Sequence, residues 1–364
     1  MDDKNLYGGD DDEYGDQYGG VEDRYGNPYN EADEDKTQEP AKKLKVMVVT
    51  QRVNPVVQAI AKQSVELVGI VESAPRFYDV ERFLSRAHFR FWLMSILRPE
   101  KNLSLFARIK KIPYLLLHDG SQDLLDVFVR DLEPDLIIVY SMSQLLPESV
   151  FKMPRLGTVN LHPSLLPSYR GADPWFWVYH GMEPENGVTL HFVDKNEDTG
   201  DIIYQSKFTM PLGIPLNEAR EASAKAAAGL ALRLIKDLNK GYAIDSYPQS
   251  EKSPTPRARR VKVSEYPDLI NIKEWPVERV WHMLNGMPDW IRVVRPKGGF
   301  LARMMRWHLT DYSTARLPAD RDVLAGTVKR VGAREYVLYC RDGRIGFFCS
   351  VHPVNMLKGL LGLS

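Results

Sequence analysis

The chain has 364 residues, enough for two domains and a tail, and 44% of them are apolar, enough for a sizeable core. The formal net charge is zero, but residues 1–40 hold 14 acidic and 3 basic side chains while residues 252–364 hold 20 basic and 10 acidic ones. No run approaches the ~20 apolar residues of a bilayer span, no amino-terminal stretch has a signal peptide's apolar core, and two cysteines, Cys340 and Cys349, support neither a disulfide scaffold nor a zinc site. The expectation is a cytoplasmic protein without membrane contact.

In chain order, residues 1–43 are an acidic tail with repeated Tyr-Gly pairs at Tyr7-Gly8, Tyr18-Gly19 and Tyr25-Gly26. Its composition buries too little apolar surface to offset ordering, so it reads as disordered. It is either a solubilising tail or an internal competitor for the basic end of the chain. Leu44 to Thr50 and Val65 to Val71 read as strands around a helix over Asn54 to Gln63. Asp79 to Arg98 has an apolar helical stripe and a second stripe of Arg82, Arg86 and Arg90, which is either a solvated face or an anion-facing ridge. Ile112 to Leu117 and Asp135 to Ser141 read as further strands, with a helix over Gln122 to Leu132 between them. This alternation predicts an α/β fold with a doubly wound, mostly parallel sheet, whose ligands bind beyond the carboxyl ends of the strands. No G-x-G-x-x-G follows the first strand, which argues against a dinucleotide site.

Asn160 and His162 lie two apart in the run GTVNLH, so on a strand they share a face, and Pro163 stops that strand. Val188 to Val193 reads as another strand, leading to a polar loop with Asp198. An amide, an imidazole and a carboxylate at strand ends fit polar chemistry on a carbonyl. Taken singly, each is also an ordinary turn or hydrogen-bonding residue. Nearby His191, on a strand, reads as structural.

Asp201 to Met210 reads as a strand and Asn217 to Asn239 as a long helix that Gly241 ends. Residues 241–260, rich in Pro, Ser and Arg from Tyr247 onward, read as a linker. Within residues 261–364, Pro276 to Asn285 reads as a helix. Gly326 to Val331, Glu335 to Cys340 and Ile345 to Val351 read as strands, with Asp342-Gly343 as a turn. A small antiparallel, OB-like β-barrel is the expectation for this second domain, after a first domain over residues 44–240.

The run NLHPSLLPSYRG followed by DTGD resembles the signature of the folate-dependent formyltransferases, over roughly Leu44 to Tyr204. The resemblance implies formyl transfer from 10-formyltetrahydrofolate to a primary amine, with no metal. It implies Asn160, His162 and Asp198 as the catalytic set: Asn160 and His162 donating to the oxyanion, Asp198 orienting the imidazole and taking a proton from the amine. Ser164, Leu166, Pro167, Arg170 and Gly171 would shape the loop between donor and acceptor. The pterin would lie against Ile138 to Pro147 and the loop before Asp198, with Met142, Leu145, Leu146, Asn196 and Glu197 as cofactor-side candidates. Met142 and Ser143 depart from the aromatic and glycine common there.

Members of that family act on methionyl-tRNA, amino-sugar nucleotides or glycinamide ribonucleotide. The order of domains and the basic carboxyl-terminal region fit the initiator methionyl-tRNA. An amino-sugar nucleotide is the alternative, a glycinamide ribonucleotide a lesser one. A catalytically idle relative that binds RNA is the reading outside enzymes.

Overall fold

A computed structural model describes residues 43–74, 99–119, 121–294 and 305–351. The tail before Lys43 and the arginine-bearing helix expected over Asp79 to Arg98 fall outside these residues.

Three apolar runs make the centre of a sheet: β1 (Lys45–Thr50), β2 (Glu66–Ser73) and β4 (Leu136–Tyr140). Val46, Met47, Val48 and Val49 are all buried, as a strand covered on both faces requires. With β3 (Tyr114–Leu117), β5 (Thr158–His162), β6 (Glu185–Phe192) and β7 (Ile202–Thr209) the sheet has the order β3-β2-β1-β4-β5-β6-β7. The first five strands in that order run parallel, whereas β6 pairs antiparallel with β5 and β7 with β6.

Side-chain alternation gives the sheet two cores. Val48, Ile70 and Ile138 pack on one face with α1 (Pro55–Ile60), α2 (Leu103–Lys110) and the 24-residue α6 (Leu216–Asn239). Met47, Val49, Val71, Ile137 and Val139 pack on the other with α3 (Gln122–Leu132). Asn54 starts α1, its Oδ1 accepting the N–H groups of Val56 and Val57, with Pro55 at the first helical position. α4 (Glu148–Phe151) is a single turn before β5.

A second, antiparallel sheet follows near the carboxyl terminus, in the order β8-β11-β10-β9, from β8 (Met305–Ser313), β9 (Val328–Arg330), β10 (Glu335–Tyr339) and β11 (Arg344–Val351). Among the described residues β8 and β9 are its edges. Sequence reading finds three of these strands and omits β8, although Trp307 and Leu309 alternate with Arg306 and His308. A third core joins the inner face of this sheet to α5 (Pro174–Gly181) and α7 (Val277–Asn285). There Tyr179 donates to the Ile214 carbonyl at 2.7 Å and stacks on His282 at 4.7 Å, and Arg279 donates to the His180 carbonyl at 3.1 Å.

Candidate active site

β5 is a short β-branched and apolar run that pairs with β4 on one side and β6 on the other. Val159 and Leu161 enter the core beneath α6, so Asn160 and His162 project from the opposite face. Asp198 sits on the β6–β7 loop at φ 56°, a left-handed conformation that Asp tolerates better than most residues.

The three side chains meet around the Asp198 carboxylate. Oδ1 accepts from Asn160 Nδ2 at 3.3 Å; Oδ2 accepts from the Gly171 N–H at 3.0 Å and lies 3.4 Å from His162 Nδ1. His162 is buried and its Nε2 lies 3.0 Å from the Tyr169 carbonyl, so Nε2 carries a hydrogen. Nδ1 is the ring nitrogen that faces the carboxylate. Asn160 is partly buried, and the Asp198 side chain keeps 13% of its surface exposed against 5% for His162.

A fourth side chain completes the cluster. The antiparallel register pairs Asn160 with His191, whose Nε2 lies 3.2 Å from Asn160 Nδ2 and 3.6 Å from Asp198 Oδ1. His191 Nδ1 lies 2.8 Å from the Phe192 carbonyl and therefore bears the hydrogen, leaving Nε2 to accept from the amide. Burial pushes His191 down to about 4, against the opposing pull of Asp198, so the ring is neutral near pH 7. The strand pairing that reveals this contact was not part of the sequence reading. The available signal is that Thr189 and His191 share one strand face in the run VTLHF.

The other motif residues hold the loop after β5. Ser164 donates to the Ser168 carbonyl at 2.7 Å, and the buried Leu166 gives its N–H to Thr189 Oγ1 at 3.0 Å. Pro167 follows at the turn. Arg170 donates to Gln249 Oε1 and to the Ser250 and Glu251 carbonyls. Gly171 has φ 130°, and a Cβ there would stand 2.7 Å from the Ala258 carbonyl oxygen, so only glycine fits.

On the side expected to take the pterin, Met142 and Leu146 pack against the core under α3, whereas Leu145 is 75% exposed. Asn196 gives its N–H to Asp194 Oδ1 at 3.0 Å, and Glu197 pairs with Arg257 at 2.5 Å. None of these five hydrogen-bonds Asn160, His162 or Asp198 among the described residues. His180 donates to the Leu269 carbonyl, and Asp194 accepts from Thr199; both serve the fold. Among the described residues no His, Cys, Asp and Glu side chains cluster as metal ligands would. An open cleft of about 770 Å³ lies beside the start of β5, walled by Phe151, Leu156 and Phe192, and holds none of the central trio.

The Formyl transferase family matches residues 117–218, the stretch that supplies Asn160, His162, His191 and Asp198. Methionyl-tRNA formyltransferase of Moorella thermoacetica is 30% identical over 225 residues, covering 62% of this chain and 68% of that enzyme. The chain belongs to the formyl transferase family. Methionyl-tRNA formyltransferase of Clostridioides difficile is 33% identical over 129 residues, but these cover only 42% of its length and 35% of this chain. The family fold recurs in WlaRD, a sugar 3N-formyl transferase solved with dTDP and 5-N-formyl-THF, at a TM-score of 0.54, 16% identity and coverage of 85% of this chain and 97% of that one. It recurs in HypX of Aquifex aeolicus, solved with tetrahydrofolic acid, at 0.51, 15% identity and coverage of 88% and 48%.

Proposed function

We propose that the chain transfers a formyl group from 10-formyltetrahydrofolate to a primary amine. The observation that carries this is the meeting of Asn160, His162 and Asp198 around one carboxylate, from a strand end and a loop separated by a whole strand. Family membership supplies the donor; the amide and carboxylate fit a carbonyl and an amine.

The chemistry then follows from these groups. The amine nitrogen attacks the formyl carbon and the carbonyl oxygen takes up negative charge. Asn160 holds one N–H toward His191 and the other toward Asp198, and the formyl oxygen competes for the second. Such a donor is worth about 10²–10³ in turnover. Asp198 accepts a proton from the attacking amine, directly or through water, and His162 Nδ1 lies against that carboxylate at 3.4 Å. Because His162 Nε2 is held by Tyr169, the ring acts through Asp198 and not as a second oxyanion donor. Cleavage of the bond to the folate nitrogen, with return of a proton to that nitrogen, gives the formylated amine and tetrahydrofolate. Met142, Leu145, Leu146, Asn196 and Glu197 are the residues we place beside the donor.

Methionyl-tRNA is the acceptor we favour. The relatives at 30–33% identity carry that name, and the carboxyl-terminal region is basic, with Arg306, Lys329 and Arg330 exposed on its sheet and Arg334 on the turn before β10. The test is incubation with labelled formyl donor and, separately, methionyl-tRNA, amino-sugar nucleotides and glycinamide ribonucleotide. Formylated methionyl-tRNA, with a KM that rises steeply with salt, is expected. Transfer only to a sugar nucleotide would replace this acceptor. Release of tetrahydrofolate with none of them, together with salt-sensitive RNA binding, would leave the idle RNA-binding reading.

A further inference from the structure

Residues 247–260, linker-like in composition, lie across the two loops that meet at Asp198. Tyr247 and Ile202 exchange backbone hydrogen bonds at 2.9 and 3.0 Å, which anchors the segment at the foot of β7. Gln249 then reaches between the loops. Its Nε2 donates to the Asp198 carbonyl at 3.1 Å and the Gly200 carbonyl at 2.6 Å, while its Oε1 accepts from Arg170 Nε at 3.1 Å and Nη2 at 2.7 Å. Further on, Thr255 Oγ1 accepts the Tyr169 N–H at 2.7 Å, and Ala258 bonds the backbones of Arg170 and Asp173 at 2.7 and 2.8 Å.

These contacts converge on a residue that needs holding. Asp198 has a positive φ, which a non-glycine residue keeps only where its surroundings fix it. The two donors of Gln249 bracket Thr199, so they set the Asp198–Thr199 and Gly200–Asp201 peptide planes. The acceptor of the same side chain ties those planes to Arg170, the neighbour of Gly171, whose N–H binds the Asp198 carboxylate. Two donors and an acceptor on one uncharged, long side chain are what glutamine offers.

We infer that Gln249 is a positioning residue for the transfer proposed above: it aims the Asp198 carboxylate at His162 and Asn160 by pinning the Asp198–Gly200 backbone to Arg170. The inference rests on the formyl-transfer reading for its effect on turnover. A carboxylate at 249 keeps the bond to Arg170 but sets an oxygen against two carbonyl oxygens. A methionine makes none of the four bonds.

The test compares Gln249→Glu and Gln249→Met with the wild-type full chain. Both are expected to lose kcat by about 10- to 100-fold, with a much smaller change in KM for the formyl donor. The ring ¹H–¹⁵N signals of His162, recorded without substrate, are expected to move in both. Ser250→Ala, which removes only a bond to the Lys252 carbonyl, is expected to match wild type in both measurements. Wild-type kcat and unmoved His162 signals in folded Gln249 variants would overturn the inference. If either substitution unfolds the chain, Gln249→Asn, polar but one methylene too short for the bridge, decides in the same way. If the wild type transfers no formyl group to any acceptor, the proposed function fails, while the His162 signals still decide whether Gln249 positions Asp198.

Discussion

Asn160 and His191 face each other across an antiparallel strand pair, amide Nδ2 to imidazole Nε2, at 3.2 Å. The contact fixes which end of the amide is which. The Phe192 carbonyl dictates the tautomer of His191, and the tautomer dictates that the NH₂ group of Asn160 points inward along the carboxylate.

Protonating His191 would turn that acceptor into a donor. Its folded pKa of about 4 lies below the value of about 6.5 for a free imidazole. The unfolded chain therefore binds the proton first: the stability is fully present above about pH 6.5 and is lost as pH falls toward 4. His191→Gln, which accepts from Asn160 without titrating, is expected to lose about 1–3 kcal/mol less than wild type over that window. Denaturant melts across the range measure this, and equal acid sensitivity in the two proteins would refute it. His282, pushed to about 4 by burial, titrates in both proteins and cancels in the comparison.

Asn160→Ala is expected to lower turnover by about 10²–10³-fold in a chain that still folds, with about 1–3 kcal/mol of stability lost because the buried His191 Nε2 loses its donor. His162→Ala is expected to lose most activity too. In a double-mutant cycle the pair should be strongly non-additive, since both side chains meet the same Asp198 carboxylate. Additive losses would mean that the two side chains work separately.

Glu72 is buried at the end of β2 and accepts the Tyr114 hydroxyl at 2.5 Å. Burial raises it to about 7, opposed by the tyrosine and by Arg52. A raised carboxyl reverses the sign: the folded chain holds the proton longer, so stability is full below about pH 4.5 and declines as pH rises through 7. Glu72→Gln is expected to be about 1–3 kcal/mol more stable than wild type at about pH 8 and nearly equal at about pH 4.5. Urea midpoints at the two pH values provide the check.

Gly286 caps α7 directly over Tyr179, and a Cβ there would lie 2.2 Å from the ring. The ring is fully buried and cannot retreat. Gly286→Ala is expected to cost about 2 kcal/mol or more and to disturb the near-ultraviolet dichroism of this aromatic cluster. A neutral substitution would show that the Tyr179 ring yields to the added methyl group.

The parallel strands were legible because burial on both faces leaves continuous apolar runs such as KVMVVT. Asn160 and His162 were legible because strand period alone puts them on one face. His191 was not, because its partner is set by the register of β5 on β6, which no single strand encodes. Gln249 and Thr255 were missed for a related reason. Their bonds run to main-chain groups 49 to 86 residues away, so they leave no periodicity, and a stretch rich in Pro, Ser and Arg looks like a spacer. β8 is hard to read because its outward face is polar and a bulge at Thr310 breaks the inward alternation of Trp307, Leu309 and Tyr312. Met142, Leu145, Leu146, Asn196 and Glu197 rest on resemblance; their packing does not by itself assign them a ligand.

α5 begins three residues after Gly171 and ends against α7. Its Phe176 stacks on Tyr266 at 5.9 Å and its Tyr179 on His282. The row PWFWVYHG is thus the inner wall of one half of the molecule and the seat of the other. Anyone exchanging the carboxyl-terminal half for that of a relative would have to transplant this helix face as well. A cut at residue 260 would strip the aromatic seat of its cover three residues from Gly171, whose N–H binds the Asp198 carboxylate.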